Sequence, residues 1–442
     1  GVATPHRASI FMETTKVAII GLGTVGSGVA RLLLDHGDRT ARHAGRILWL
    51  EKAVVRDLKK PRYCDLPAGV LTDRVDDVVK DPEIKVVAHL VGGLEPARTI
   101  MLRLLEHGKD VVTANKALLA EHGPELFDRA RDLGRTIAFE ASVAGGIPII
   151  ANISQCLSAN QVQSLHGILN GTSNFILTKM HDEGAPYGAV LAEAQKLGYA
   201  EADPAMDVDG SDAAQKLAIL AHLAFGARVD WKDIPRKGID KLEIIDVQYA
   251  KEMGYRVKLL AVADMEGDTL ELDVSPALVR ARSPLAEVNG PFNAIRVEGD
   301  AVGPLFFHGQ GAGQMPTASA VVADLIDIAV GRAALTFRTL ELWSNRKARV
   351  TTLPDDDARA RFYMRCMVED HPGVLAQVTA ALGAGSISIA SVLQHEPIDG
   401  KGIVPLVIMT HETTEGAIAR ACAAIDKLPA VRGETVHMWV RD

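Results

Sequence analysis

A short apolar segment, Lys16–Ile20, leads directly into a glycine-rich turn and then into an amphipathic helix. The turn has the spacing G-x-G-x-x-G and consists of Gly21, Leu22, Gly23, Thr24, Val25 and Gly26. In this spacing the first glycine allows a tight turn, the second lets the backbone approach a pyrophosphate, and the third lets the helix pack closely on the strand. A strand, this turn and a helix in that order predict a dinucleotide-binding domain, with all six residues at the cofactor.

The end of the second predicted strand, Ala53–Val55, bears on the choice of cofactor. NAD-binding domains place an acid there to hold the ribose hydroxyls, whereas NADP-binding domains favour an arginine. The sequence offers both, because Arg56 is followed by Asp57, with Lys59 and Lys60 just beyond. Arg56 favours NADP, although Arg56 could instead be an ordinary surface charge. Asp57 leaves NAD as the alternative cofactor.

Strand-like and helical segments alternate over the first third of the chain. The predicted strands are Val86–Val91, Val111–Thr113 and Thr136–Phe139. The predicted helices between them are Ala97–His107 and Glu125–Leu133. This alternation predicts an α/β domain with a doubly wound parallel sheet of the Rossmann type. A low aromatic content of 5% suits such a sheet, whose strands are covered on both faces.

A chain of 442 residues is long enough for several domains. After Pro148 the pattern changes to an inserted α+β domain, with a helix predicted at Ile149–Leu157 and strands predicted at Val162–Leu169, Lys258–Asp264, Leu270–Val274 and Val302–Phe307. The tail reads βαββαβ, a ferredoxin-like order. We therefore expect a disordered lead-in (1–15), a dinucleotide-binding domain (16–147), a substrate and dimerisation domain (148–309), a helix returning to the dinucleotide domain (310–350), a linker (351–360) and a regulatory domain (361–442).

Composition argues against several classes of protein. The net charge is −8 and the basic residues are scattered, so we expect no nucleic-acid partner. No apolar run approaches the roughly 20 residues of a membrane span, so we expect no membrane partner. The four cysteines lie far apart without metal-ligand spacing, which is typical of reduced thiols in a cytoplasmic protein.

Two segments place lysines where they could take part in chemistry. Lys116 follows the strand Val111–Thr113, and ligands of open α/β sheets bind outside the carboxyl ends of strands. Lys216 follows an acidic segment and shares a helical face with Asp212, four residues earlier. A lysine on so apolar a helix is desolvated or paired, which suits a proton donor. A solvated loop lysine and a surface ion pair are the respective alternatives.

A third segment, Glu140–Pro148, carries a strand into a glycine-rich loop. Its carbonyl groups and Glu140 are candidate ligands for a hard monovalent cation. Spacing alone favours a simpler interpretation, in which the loop is a hinge between two domains.

Six motifs occur in the order typical of one family: GLGTVG, TANK, EASVAGGIPI, GILNGTSNFIL, LGYAEADPAMDVDGSDAAQKLAIL and GAGQMPTASAVVADLID. Over residues 16–353 the sequence closely resembles homoserine dehydrogenases. The resemblance implies interconversion of L-aspartate 4-semialdehyde and L-homoserine with NADP or NAD, on the route to threonine, methionine and isoleucine. Another semialdehyde dehydrogenase and a non-catalytic amino-acid sensor are the competing interpretations.

The resemblance also assigns residues. Lys216 matches the proton donor, Lys116 matches a lysine between substrate and cofactor, and Glu201 matches the residue that holds the substrate amino group. Asp207 and Asp212 match acids of the same pocket. Gly92 and Gly311 are expected to join the cofactor site.

The same resemblance reverses the interpretation of the glycine-rich loop. Its residues match a sodium site in which three of the ligands act through backbone carbonyls. The expected ligands are Glu140, Val143, Gly145 and Ile147.

The tail resembles an ACT domain, chiefly through DHPGVLAQVTAAL. Asp370 and Gly373 are the expected contacts of an amino-acid effector, which would be threonine. A purely structural dimerisation module is the alternative, because the loop specifies no ligand. The resemblance implies a homodimer through the substrate domain, extended to a homotetramer if ACT domains pair.

Overall fold

The computed structural model describes residues 12–340, 342–343, 350–395 and 402–441. Most of the predicted lead-in (residues 1–11) and part of the predicted returning segment (341 and 344–349) lie outside the described residues. The chain forms two compact units. The first comprises Gly1–Cys156 and Ala312–Arg346, and the second comprises Leu157–Gly311 and Lys347–Asp442.

The first unit begins with a parallel sheet. Its strands are β1 (Thr14–Ile20), β2 (Ile47–Val54), β3 (Leu71–Thr72), β4 (Ile84–His89), β5 (Asp110–Thr113) and β6 (Ile137–Ala138). They are ordered β3-β2-β1-β4-β5-β6, with every neighbouring pair parallel. The intervening helices are α1 (Thr24–Asp35), α2 (Gly37–Ala44), α3 (Asp76–Val79), α4 (Ala97–Glu106), α5 (Lys116–Asp132) and α6 (Ile149–Ala151). This confirms the predicted doubly wound α/β fold.

Three predicted boundaries in this unit were wrong. Strand β2 starts at Ile47 rather than Ala53, because the exposed Trp49 and the polar pair after Leu50 interrupt the apolar run. Helix α5 starts at Lys116 rather than Glu125, with Pro124 inside it. The predicted helix Ile149–Leu157 is one turn of α-helix followed by a π-helical turn at Asn152–Cys156.

The second unit follows with strands and helices of the substrate part. They are β7 (Val162–Ile168), α7 (Gly171–Glu183), α8 (Tyr187–Lys196), α9 (Ala205–Val208), α10 (Ser211–Phe225), α11 (Ile244–Glu252), β8 (Tyr255–Glu266), β9 (Thr269–Arg280), β10 (Phe292–Gly299) and β11 (Gly303–Gln310). The chain then returns to the first unit through α12 (Gln314–Ala329) and α13 (Arg332–Leu340). Within the described residues, no helix has both the length and the apolar character needed to cross a membrane.

The tail rejoins the second unit. Its elements are β12 (Thr351–Thr352), β13 (Arg359–Glu369), α14 (Val374–Ala384), β14 (Ile389–Gln394), β15 (Ile403–Thr410), β16 (Thr413–Thr414), α15 (Glu415–Ile425) and β17 (Val431–Arg441). Strand β17 pairs in parallel with β9, so the substrate part and the tail share one sheet ordered β11-β10-β7-β8-β9-β17-β13-β15-β14. One apolar core is continuous across this joint and includes Ala277 and Trp439.

A buried ion pair also fixes the tail to the substrate part. The Arg365 guanidinium on β13 donates two hydrogen bonds to Asp246 on α11, at 2.6 and 2.9 Å, and the Tyr363 hydroxyl donates a third at 2.7 Å. Burial opposes the charge on Arg365, but the hydrogen bonds to Asp246 outweigh it and raise the pKa of Arg365. Because removing one partner of a buried pair strands a charge, this contact holds the tail in a defined position.

Candidate active site

The glycine turn between β1 and α1 has the geometry of a phosphate cradle. A Cβ on Gly26 would lie 2.1 Å from the Gly21 carbonyl oxygen, and Gly21 has a φ of +100°, so both positions require glycine. Gly23 is the N-cap of α1, and a Cβ on it would meet no other atom within 4 Å. No side chain caps the first N–H groups of this helix. Such N–H groups, with the positive end of the helix dipole, bind anions, so the turn fits a pyrophosphate.

Basic residues follow β2, whose Val54 carbonyl accepts a hydrogen bond from Gly21 N at 3.0 Å. Arg56 follows β2 and is exposed, as is Asp57. Arg62, which was not identified from the sequence, donates to the Asp57 carbonyl and to the Leu22 carbonyl at 3.5 Å. Its guanidinium therefore joins the glycine turn to the loop after β2. The only sequence signal for Arg62 is its place in the basic stretch that contains Lys59 and Lys60.

The carboxyl ends of β4 and β5 carry two further predicted positions. Gly92 is exposed, and a Cβ on this residue would meet no other atom within 4 Å. Asn115 donates to the Val91 carbonyl at 2.9 Å and to the Gly93 carbonyl at 2.7 Å, and it caps α5. Lys116 is the first residue of that helix. Asn115 therefore links the loop that holds Gly92 to the lysine.

In the second unit the predicted acids meet Lys216. Lys216 Nζ on α10 donates to Asp212 Oδ2 at 2.8 Å and to the Leu169 carbonyl at 2.6 Å. Asn170 Nδ2 donates to Asp212 Oδ2 and to Asp207 Oδ1, both at 2.9 Å. The lysine is 13% exposed and Asp212 is 8% exposed, so both are largely shielded from solvent. Of the two possibilities left by the sequence, desolvation or pairing, the structure shows a paired lysine.

Two asparagines hold this cluster together, and both were missed. Asn170 caps α7 through Ser173 N and stands inside the quoted motif GILNGTSNFIL. Asn293 on β10 is 1% exposed and donates to the same Leu169 carbonyl that holds Lys216, at 3.1 Å. A Cβ on Gly311 would lie 2.1–2.3 Å from the Asn293 amide, so this close approach requires glycine at 311.

Glu201 is the remaining residue that the resemblance assigns to the substrate. It is exposed in the loop between α8 and α9, where its carbonyl accepts from Gln195 at 3.1 Å. Within the part of the chain that the structure describes, its carboxylate forms no hydrogen bond or ion pair. Lys116 lies in the first unit and Lys216 in the second.

The loop after β6 holds the predicted sodium ligands. The Glu140 carboxylate accepts from Ile150 N at 2.9 Å and from Ala151 N at 2.8 Å. Burial raises the pKa of Glu140 to about 7 despite these two bonds. Its carboxylate is thus held by two N–H groups at the start of α6.

The rest of that loop fits a cation held by carbonyl oxygens. Ala144 has a φ of +49°, and its carbonyl accepts from Ile147 N at 2.6 Å. Among the backbone hydrogen bonds of the described residues that lie outside helices and strands, none is accepted by Val143 or Gly145, whereas the Ile147 carbonyl accepts one from Ile149 N at 2.7 Å. No group of three or more acidic, histidine or cysteine side chains in the described residues could hold a metal. A hard cation here would depend on main-chain oxygens, which are ligands of the right kind.

In the tail, Asp370 and Gly373 lie on the loop that opens α14. Gly373 caps the helix with a φ of +94°, and the exposed Asp370 accepts a hydrogen bond from Gln394 at 3.3 Å. The two residues predicted to contact an effector are therefore on one exposed loop at a helix start.

Comparison with known proteins agrees with this geometry. Family models described as homoserine dehydrogenase and as its NAD-binding domain match residues 148–326 and 21–140, and the ACT domain model matches 362–430. The homoserine dehydrogenase of Pseudomonas aeruginosa is 44% identical over 437 residues, covering 97% of this chain and 99% of that protein. The chain belongs to the homoserine dehydrogenase family.

Other homoserine dehydrogenases support this assignment. That of Bacillus subtilis is 41% identical over 426 residues, covering 95% of this chain and 97% of that protein. A crystal structure from Thiobacillus denitrificans has a TM-score of 0.90 at 43% identity, covering 98% of this chain and 99% of that one. A hyperthermophilic archaeal homoserine dehydrogenase in complex with NADPH has a TM-score of 0.59 at 25% identity, covering 73% and 98%.

These matches confirm the predicted family, its oxidoreductase activity and the ACT domain. The reaction is the NAD(P)-dependent interconversion of L-homoserine and L-aspartate 4-semialdehyde. They decide against both a dehydrogenase for another semialdehyde and a non-catalytic sensor.

Proposed function

We propose that this homoserine dehydrogenase works with Lys216 as the proton donor and with NADP as the preferred cofactor. The observation that carries the proposal is the position of Lys216 Nζ between the Asp212 carboxylate and the Leu169 carbonyl. Two of its three N–H groups are directed by these acceptors, so the third has a defined direction.

The bound nicotinamide cofactor supplies the hydride that reduces the aldehyde carbon. Negative charge then grows on the aldehyde oxygen, where the Lys216 ammonium stabilises it and delivers a proton. Asp212 supplies the counter-charge and fixes the direction of Nζ. Asn170 ties Asp212 to Asp207, which we place at the substrate with Glu201 as the group that holds its ammonium.

Initial rates of homoserine oxidation with NADP and with NAD test this proposal. We expect turnover with both and a higher kcat/KM with NADP. A folded protein with no turnover in either cofactor contradicts the proposed activity.

The preference for NADP is supported by Arg62, whose guanidinium bonds to the glycine turn, and by Arg56, which is exposed just after β2. Arginine binds phosphate through paired, charge-assisted hydrogen bonds. We expect Arg62→Ala to raise the KM for NADP about 10-fold, the equivalent of one such interaction, with little change for NAD.

Lys60→Ala, in the same loop, serves as the matched control and should leave both KM values near those of the wild type. An equal rise in both KM values for Arg62→Ala would show that this residue acts on the fold of the loop instead.

We further propose that Glu140, Val143, Gly145 and Ile147 bind sodium, three of them through main-chain carbonyls. Replacing sodium chloride with choline chloride at equal ionic strength should lower the melting temperature of the first unit. An unchanged melting temperature would contradict a structural cation.

We also propose that the ACT domain binds threonine at the Asp370–Gly373 loop and lowers activity, in a cytoplasmic homodimer or homotetramer. The open helix start after Gly373 supports an effector with a carboxylate. Threonine should suppress homoserine oxidation in the wild type, and sedimentation velocity should show an assembly larger than one chain. Full activity at saturating threonine would leave the ACT domain as an assembly module.

A further inference from the structure

A charged contact joins the ACT part of the second unit to a segment that leads toward the substrate pocket. Lys237 Nζ lies 3.0 Å from Glu415 Oε1, at the start of α15. His437 Nε2 on β17 lies 2.8 Å from the same oxygen and 2.9 Å from Lys237 Nζ. Glu415 is only 7% exposed, and within the described residues its Oε2 has no hydrogen-bond partner. Lys237 thus faces a buried carboxylate that belongs to the ACT domain.

The backbone around Lys237 is bound tightly on its other side. Lys237 N donates to the Val274 carbonyl on β9 at 2.8 Å, and Ile239 N donates to the Val208 carbonyl at 2.8 Å. A Cβ on Gly238 would lie 2.4 Å from that Val208 oxygen, so the two backbones are as close as glycine permits. The segment 237–239 is therefore in direct backbone contact with both β9 and Val208.

Val208 belongs to a turn with a particular position in the site. The turn, Val208–Gly210, connects Asp207 to the start of α10, which carries Asp212 and Lys216. Asn170 bonds to both Asp207 and Asp212. A shift of the turn consequently changes the position of Asp207 relative to Asp212.

We propose that Lys237 is a positioning residue through which the ACT domain sets the position of Asp207, and with it the affinity for the substrate. The inference rests on the proposed function for the role of Asp207. Coupling of this kind is a difference in contact between two states of the protein. The contact that differs is the ion pair between Lys237 and Glu415, which lengthens or shortens as α15 moves against β9.

The first test separates binding from chemistry. We expect Lys237→Met to raise the KM for homoserine about 5-fold, the lower end of typical coupling, with kcat nearly unchanged. Lys237→Arg keeps the charge and should restore most of the affinity. Lys241→Met, an exposed lysine of the same segment, is the matched control and should behave as the wild type.

A double-variant cycle with Glu415→Gln tests the partner. If the two residues act as one contact, the double variant has a KM no higher than the worse single variant. Additive effects overturn the proposal, as does an unchanged KM in Lys237→Met. A loss of kcat alone also overturns it, because that result indicates general damage to the fold.

Amide hydrogen exchange gives a readout that does not require turnover. Lys237→Met should speed exchange in the peptide 205–212, and Lys241→Met should not. Unchanged exchange in that peptide overturns the coupling. Faster exchange in a protein that fails to oxidise homoserine would support the coupling while contradicting the proposed roles in catalysis.

Discussion

Among its described residues, the second unit has two shielded lysines in opposite surroundings. Lys216 on α10 is bonded to a carboxylate, Asp212, and to a main-chain carbonyl. Lys258 on β8 is 1% exposed, and its partners are the neutral Asn174 Oδ1 at 3.1 Å and the Val288 carbonyl. Burial lowers the pKa of Lys258 to about 7, with a further contribution from Arg256.

The difference shows what makes a shielded lysine useful. A carboxylate partner gives Lys216 a counter-charge and a fixed direction, which a proton donor needs. Lys258 is buried and has no bonded counter-charge, so its pKa is lowered, and we see no role for it in the reaction. Desolvation is therefore a poor sign of a catalytic lysine unless an acid accompanies it.

The largest expected effect separates the chemical roles of the two lysines. Lys216→Met should lower kcat by about 100-fold or more, the usual contribution of a general acid. Lys258→Met should retain most of the wild-type kcat. Initial rates at saturating homoserine and NADP measure both. A Lys216→Met variant with wild-type kcat would remove the distinction.

A smaller effect is expected from the amides that serve each lysine. Asn293→Ala removes one of the two hydrogen bonds that the Leu169 carbonyl accepts and leaves the one from Lys216. It should lower kcat roughly 10-fold, because this acceptor then aligns Lys216 less well. Its control is Asn174→Ala, since Asn174 is an equally buried amide whose bonds go to Lys258 and to the loop 288–292.

The Asn174 variant should lose stability but keep the wild-type pH profile of kcat. Asn293→Ala should alter that profile, since it disturbs the surroundings of the proton donor. If both variants lose only stability, Asn293 has no role in aligning Lys216 beyond the structural role of Asn174.

The smallest effect concerns stability and pH. Lys258 has a pKa of about 7 in the folded protein and an ordinary value of 10.5, so the unfolded chain binds more protons between these limits. Stability contributed by Lys258 therefore rises with pH from about 7 to 10.5 and is lost as the pH falls toward 7, by at most about 1.4 kcal/mol per pH unit.

Urea unfolding of the wild type and of Lys258→Met at pH 6, 7.5 and 9 checks the sign. The free energy of unfolding of Lys258→Met minus that of the wild type should be largest at pH 6 and should decline toward pH 9, because only the wild type gains stability as the pH rises. The exposed Lys241→Met should show a difference independent of pH. A constant difference for Lys258→Met would mean that this lysine stays charged in the folded state.

The parts of the fold that depend on local rules could be predicted. The glycine turn, its flanking strand and α1 follow from backbone geometry, as does the alternation of strands and helices. Strand β10 was missed because Asn293, Arg296 and Glu298 interrupt its apolar residues, although the strand lies inside a sheet.

The parts that depend on distant pairing could not be predicted from spacing. Asp212 and Lys216 share a helix, so their pairing follows from sequence, whereas Asn170 and Asn293 reach the cluster from other elements. Lys258 stands in an apolar stretch like any strand residue, and its burial depends on α7 and the loop 288–292 packing over β8. Glu201 was assigned by resemblance alone, and its role stays a prediction.

The pairing of β17 with β9 has a consequence for the order of folding. The hairpin β8–β9 closes over a few residues, but Leu278 must pair with Val440, far along the chain, before the sheet is continuous. Loop-closure entropy makes such long-range pairing slow compared with hairpin formation. We therefore expect the docking of β17 to be a late step of folding. We also expect urea to unfold the substrate and ACT parts in a single cooperative transition.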